Sequence, residues 1–457
     1  MARSGFPRVR KEHVGDGARR LALRVAISTA LAVSGAACGG QNDRSSGGDG
    51  HADKSIVFVG WGAPEERSVI ADVIALFEQS TPGVHVTYTQ VPGLGYDYLN
   101  KLRLMIVGGR APDIFYVPDG AFGELVRTGA LLDLEARIAS TGIVDLDAMW
   151  PSAIDRYRWN GRRLHEGNLY ALPKDIGPTA MFYDADRFRE RGVPLPDPDV
   201  PMTWDEARVM WASLSEPTAR VRRYGTTGYP FDVAVWATGG EVLSPDRRTW
   251  AMVNPTAEGA VQWCADLALR DGVAPLPSRI EGGGGRELFE ARLAATHIDG
   301  RWMVPRFRKL GFDWDVAPIP MPDREHESIV WSGSVGLAVS ANTRYPDEAF
   351  ALVAWLAGPE GQTRLTRTGL QLPNQRALAT TDVFLQPGER PAHARVFERA
   401  AWGSRPSPVT ETANAFWFDV LSIFLDEVWR GRRTAASLFP ELAPRVDAAL
   451  RENNPEL

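Results

Sequence analysis

An alternation of two periodicities between residues 56 and 117 constrains this chain more than any other feature. Ile56 to Gly60 is a short, continuously apolar run that reads as a strand. Ile70, Val73, Ile74 and Phe77 then recur at helical spacing until Thr81-Pro82-Gly83 stops the pattern. Val84 to Val91 alternates like a strand, Tyr98, Leu102, Met105 and Ile106 form a second helical stripe, and Asp113 to Val117 is a third strand-like run. The order predicts βαβαβ, and therefore a mainly parallel α/β sheet with helices on both faces. Ligands of such sheets sit beyond the carboxyl ends of the strands. Two segments fall there, Trp61-Gly62-Ala63-Pro64-Glu65 after the first strand and Pro118-Asp119-Gly120 after the third.

The chain is longer than this unit needs. Its 457 residues allow two or three domains, and 44% hydrophobic with 24% charged residues is the composition of an ordinary globular protein. A formal charge of −6 argues against nucleic acid as a partner, because phosphate contacts need a basic surplus. Further along, Thr203 and Glu206 have the spacing of a helix-starting capping box. Strand-like sequence returns at Ala294 to Ile298 and Ser328 to Ser340, and Pro346 to Leu356 and Glu360 to Gly369 read as helices.

The N-terminus reads as an address. Basic residues up to Arg24 precede an apolar run, Val25 to Ala37, too short for the ~20 residues that span a bilayer as a helix. Ala36-Ala37-Cys38 resembles the end of a bacterial lipoprotein signal, although Gly35 stands where such signals usually carry Leu. Residues 1–37 are therefore expected to be an export signal, Cys38 a lipid attachment point, and 38–54 a flexible tether rich in Gly, Ser and Asp. An ordinary cleaved signal with an incidental cysteine is the alternative, and Arg19-Arg20 leaves general secretion and twin-arginine export both open. With Cys38 lipidated, Cys264 has no disulfide partner; its pattern, Ala260-Val261-Trp263-Cys264-Leu267, is that of a buried core thiol.

Signatures of catalysis are missing. The seven histidines form no pair at metal-ligand spacing, Gly93-Leu94-Gly95 lacks the third glycine of a dinucleotide fingerprint, and no phosphate-binding loop occurs. No metal or cofactor is expected. Carboxylate pairs necessarily exist among 57 acidic residues, so a lipid-anchored carbohydrate-active enzyme stays open as a rival to a pure binder.

Several motifs, in order, resemble the family 1 extracellular solute-binding proteins, the substrate receptors of ABC importers. They include Gly60-Trp61-Gly62, Thr81-Pro82-Gly83-Val84, Gly108-Gly109-Arg110-Ala111-Pro112-Asp113, Tyr170-Ala171-Leu172-Pro173-Lys174-Asp175, Thr203-Trp204-Asp205-Glu206, Asp299-Gly300-Arg301-Trp302 and Ser332-Gly333-Ser334-Val335-Gly336. The resemblance runs from Ser55 to about Leu450. It implies a two-lobed periplasmic-binding-protein fold whose lobes close by hinge bending on a ligand in the cleft between them. The implied N-terminal lobe is 55–173 with a return near 300–342, the C-terminal lobe is 174–299, and helices in 343–457 complete mainly the second lobe. The implied function is capture of a mono- or oligosaccharide and its delivery to ABC permease subunits, from a position lipid-anchored outside the cytoplasmic membrane or in the periplasm. A receptor for a phosphodiester, polyamine or peptide is the alternative within the class.

A sugar offers apolar C–H faces and a rim of hydroxyls, so its site needs flat aromatic rings edged by planar polar groups. Of 15 tryptophans, Trp61, Trp236, Trp302 and Trp331 adjoin strand ends or small and charged turns. Trp204, Trp211, Trp263, Trp355 and Trp417 lie on helical stripes and read as core. Asp119 and Arg301 offer a carboxylate and a guanidinium fork for hydroxyls. Gly62, Gly333 and Ser334 allow close backbone approach, and the resemblance puts Lys174-Asp175 at the cleft floor. Glu65, Tyr96 and Arg376 are outlying possibilities.

Overall fold

A computed structural model describes residues 53–62, 64–91, 96–276, 284–325, 328–408 and 421–452. The expected unit at the start is present: β1 (Lys54–Trp61), α1 (Pro64–Ser80), β2 (Val84–Val91), α2 (Tyr96–Val107), β3 (Ile114–Pro118) and α3 (Asp119–Arg127). β1 pairs in parallel with β2 and β3, with Ile56 opposite Val86 and Phe58 opposite Ile114. Ile56, Phe58, Ile70 and Val73 are fully buried, so the apolar run and the helical stripe meet as their periodicities require. Two antiparallel strands complete this first sheet: Val335–Val339 beside β3, then Ala171–Pro173 at the edge.

The second sheet is built around one long strand, Asp175–Asp184, of which every residue after Asp175 is buried. Ala294–Gly300, Trp314–Ala317, Val330–Gly333 and Leu372–Pro373 all pair with it antiparallel, and Tyr224–Thr226 extends the sheet beyond Ala294–Gly300.

Two chain crossings join the sheets side by side. One runs from Ala171–Pro173 through Lys174 into the long strand; the other runs back from Val330–Gly333 through Ser334 into Val335–Val339. They pair on both sides of the junction, Pro173 with Gly336 and Gly177 with Gly333. Between those pairs Lys174, Asp175 and Ile176 face only Ser334 and Val335, so the ribbon carries an extra residue at the crossing, as a β-bulge does.

Two expected boundaries need correction. The return to the first lobe begins at Val335, not near 300, because the strands at 294–300, 314–317 and 330–333 are claimed by the long central strand of the second sheet. Helices Pro346–Ala357 and Pro359–Thr366, expected to complete mainly the second lobe, bury Phe350, Leu352, Val353, Leu356 and Leu365 in the first-lobe core. The last helix, Ala435–Glu452, packs Leu438, Phe439, Leu442 and Val446 into the second-lobe core. The capping box at Thr203 and Glu206 forms in both directions, and Cys264 is a buried free thiol whose pKa burial raises well above the usual thiol range. Residues 1–52, with the signal, Cys38 and most of the tether, lie outside the described residues.

Candidate functional site

A cavity of about 510 Å³ lies where the two sheets meet. Its first-lobe wall follows from the strand-end rule. β1 delivers Trp61 to the rim, where the indole packs on Tyr98 at 4.7 Å and edge-on to Tyr116 at 5.2 Å. Gly62 follows with φ +152°, in the left-handed region, and a Cβ there would fall 2.1 Å from Glu66 Oε2. Glycine is thus needed both for the turn and for the carboxylate behind it.

β3 ends at Pro118, and Asp119 opens α3 on the cavity wall. Burial raises the Asp119 carboxyl pKa, against the opposing pull of Arg156, whose Nη1 donates to Asp119 Oδ2 at 2.7 Å. The same guanidinium donates to Ser332 O at 2.6 Å and to Ser332 Oγ, so a first-lobe arginine grips both Asp119 and the crossing strand.

At the floor, Lys174 Nζ lies 2.9 Å from Glu66 Oε1 and 3.0 Å from Asp175 Oδ2. Burial alone would lower the ammonium pKa, but the Asp175 and Glu66 carboxylates outweigh it and hold the pKa above the ordinary lysine value. Asp175 Oδ1 accepts from Val335 N at 3.0 Å, Ser334 Oγ donates to Asp175 O at 2.7 Å, and Tyr157 OH donates to Ser334 Oγ at 3.0 Å. Gln371 brings a third segment to the floor, its Nε2 donating to Lys174 O at 3.4 Å.

The second-lobe wall is aromatic and cationic. Trp302 and Trp331 meet edge to face at 5.9 Å, and Trp331 Nε1 donates to Ser407 Oγ at 2.7 Å. Arg286, Arg306 and Lys309 stand around them. Arg286 Nη2 donates to Asp299 Oδ2 at 3.3 Å and Arg306 Nη2 to Glu290 Oε2 at 2.7 Å. Arg286 and Arg306 are thus already partnered, and the cavity presents rings and hydrogen-bonding edges rather than a single charge.

Nine of the residues expected at a ligand site line this cavity together: Trp61, Gly62, Asp119, Lys174, Asp175, Trp302, Trp331, Gly333 and Ser334. Two do not. Trp236 is 3% exposed in the second-lobe core, with the Arg405 guanidinium 4.7 Å over its ring. The small residues beside it pack the helix Phe231–Ala237 against its neighbours instead of admitting a ligand. Arg301 is fully buried, its guanidinium 4.3 Å from the Phe384 ring and 5.7 Å from that of Phe397. It opens a short 3₁₀ turn, Arg301–Met303, in which successive side chains diverge by about a third of a turn, so Trp302 faces the cavity and Arg301 cannot. Arg376 lies away from the cavity, donating to Asp147 O. The Glu65 and Tyr96 side chains lie outside the described residues.

Sequence reasoning passed over Glu66, Gly177, Arg286, Arg306, Lys309 and Gln371. Only Glu66 had a local signal, as an acidic residue one place beyond the strand-end segment already singled out.

Residues 62–363 match the bacterial extracellular solute-binding proteins, and the chain belongs to that family. Over 408 residues it is 24% identical to a galactooligosaccharide-binding protein of Bacillus subtilis (strain 168), covering 86% of this chain and 88% of the relative. Among solved structures it is similar to an ABC substrate-binding protein from Listeria monocytogenes in complex with cycloalternan. That match has a TM-score of 0.75 at 19% identity and covers 88% of this chain and 98% of the other. The cyclic α-maltosyl-1,6-maltose binding protein from Arthrobacter globiformis matches with a TM-score of 0.73 at 19% identity, over 87% and 99% of the two chains. The fold is that of the two-lobed periplasmic binding proteins.

Proposed function

We propose that this protein is the extracytoplasmic receptor of an ABC importer, taking a mono- or oligosaccharide into the cavity between its lobes and handing it to the permease without changing it chemically. The observation that carries this reading is the set of three tryptophans, Trp61, Trp302 and Trp331, around one cavity whose remaining edge is made of carboxylates, amide groups and cations. Rings of that kind cover the C–H faces of a sugar, while Asp119, Lys174 and Gln371 are within the same cavity to serve hydroxyls. The sugar-binding relatives point the same way. The residues proposed to contact ligand are the nine sequence-derived ones at the cavity, joined by Glu66 and Gln371. A missing or inverted hydroxyl then leaves a buried polar group unpaired, at about 1–3 kcal/mol each. The mature protein is proposed to be tethered through lipid on Cys38.

Thermal unfolding of the mature protein with a panel of mono- and oligosaccharides, glycerophosphocholine and spermidine tests the ligand class. A ligand at 100 times its dissociation constant adds about 2.7 kcal/mol of stability. Stabilisation by sugars alone is expected; stabilisation only by the phosphodiester or the polyamine overturns the sugar reading. Conversion of an oligosaccharide during the incubation overturns the receptor reading in favour of an enzyme. Cys38→Ser is expected to release the protein from the membrane fraction.

A further inference from the structure

Trp302 lies directly on the main chain of two strands. A Cβ placed on Gly177, in the strand Asp175–Asp184, would fall 2.7 Å from Trp302 Cζ3; one on Gly300, at the end of Ala294–Gly300, would fall 2.0 to 2.4 Å from three atoms of the same ring. Neither glycine is needed for the backbone. Gly300 has φ −93° and ψ 171°, an extended conformation open to any residue, and Gly177 pairs with Gly333, whose carbonyl oxygen a Cβ on Gly177 would approach to 3.3 Å, a milder contact than the one with the ring. Glycine inside a strand weakens it unless something must approach closely, and here the indole is what approaches.

The ring has little freedom to retreat. Trp331 blocks one side edge-on at 5.9 Å, and the two glycines form the bed, so the cavity is the open side. A methyl group on Gly177 must push the ring by about 1 Å to restore ordinary van der Waals contact. The clash on Gly300 is deeper and leaves no room for the ring in its present rotamer.

We infer that Gly177 and Gly300 are specificity-determining residues of the cleft: by letting Trp302 lie flat on the strand backbone, they set how far its ring projects into the cavity and which sugar rings the slot admits. The inference rests on the carbohydrate reading of the site and adds to it two residues that offer a ligand no side chain.

The test compares Gly177→Ala with the wild type by isothermal titration against maltose, maltotriose and galactobiose. The tightest of these probes is expected to lose tenfold or more in affinity, while the ligand-free variant still unfolds in one cooperative transition at a somewhat lower temperature. Adding Trp302→Phe to Gly177→Ala is expected to recover most of the loss, because the smaller ring leaves space for the methyl group; a merely structural glycine would show no such rescue. Gly300→Ala is expected to lose a hundredfold or more, and if it fails to fold, Gly177→Ala decides alone. Unchanged binding by Gly177→Ala, or no recovery in the double variant, overturns the inference. If the wild type binds none of the probes, the carbohydrate reading is decided separately by the unfolding panel. The seat of Trp302 is then read from the near-ultraviolet circular dichroism that Trp302→Phe removes; Gly177→Ala must alter that component, and an unaltered component overturns the inference as well.

Discussion

Lys174 and Glu66 form a buried ion pair of 2.9 Å that ties the point where the chain leaves the first sheet to the first turn of α1. The same ammonium holds Asp175 at 3.0 Å, so one positive charge separates two carboxylates at the cavity floor. Lys174→Met leaves those carboxylates facing each other out of water. The expected cost is about 3–5 kcal/mol, read from urea unfolding, and Glu66→Gln added to Lys174→Met is expected to recover part of it.

Asp232 lies in the first turn of the helix Phe231–Ala237 with no cation beside it among the described residues, and burial pushes its pKa up to about 6, only partly opposed by the Val233 N–H. Between the ordinary carboxylate range and pH 6 the folded state therefore binds more protons than the unfolded one. Stability falls as pH rises through that window, and the full cost of the buried charge is felt above it. Asp232→Asn is expected to add on the order of 1 kcal/mol of stability at pH 7.5, read as a higher unfolding temperature, and to change nothing at pH 3.5. Equal unfolding temperatures at pH 7.5 would contradict this.

Arg301 is buried without a carboxylate, and its Nε and Nη1 lack hydrogen-bond partners among the described residues. Burial, with a smaller contribution from Arg308, pushes its pKa down to about 9. Two orphaned donors cost about 1–3 kcal/mol each, and the contacts with Phe384 and Phe397 return about 2 kcal/mol. Arg301→Met is expected to stabilise the protein by roughly 1 kcal/mol at pH 7. Thermal unfolding of Arg301→Met beside the wild type at pH 7 checks this, and a variant less stable than the wild type counts against the assignment.

Trp302→Ala and Trp331→Ala are each expected to weaken sugar binding by ~1.5–3 kcal/mol, about ten- to a hundredfold, from lost ring contact. Trp236→Phe, in the core and away from the cavity, is expected to leave affinity unchanged while lowering stability. Calorimetric titration and thermal unfolding on the same samples separate the two effects.

What could be read from the sequence followed from local rules. The βαβαβ start was legible because the first and third strands are apolar runs, the second alternates and each helix keeps its stripe, and Trp61 and Asp119 were found because strand ends carry sites in such sheets. Lys174, Asp175, Gly333 and Ser334 came from motifs. Arg286, Arg306 and Lys309 were passed over because nothing near them in sequence says that they stand beside a distant strand. Trp236 and Arg301 were misplaced for a related reason: small neighbours signal close packing without saying what is packed, and adjacent residues of a tight turn face different ways. The second sheet was the least legible part, since one strand takes partners from 294 to 373 and none of those pairings is local.

The extra residue between Pro173 and Gly177 also decides which errors of length the gene can tolerate. Side chains on a strand alternate faces, so deleting one residue there would rotate the long strand by one step. Ile176, Ala180 and Phe182, now in one core cluster, would change places with Met181 and Tyr183, now in another, while the first sheet kept its pairing. A single-codon deletion at this crossing is therefore expected to ruin one lobe and spare the other, whereas a deletion of the same size in an exposed loop would pass unnoticed.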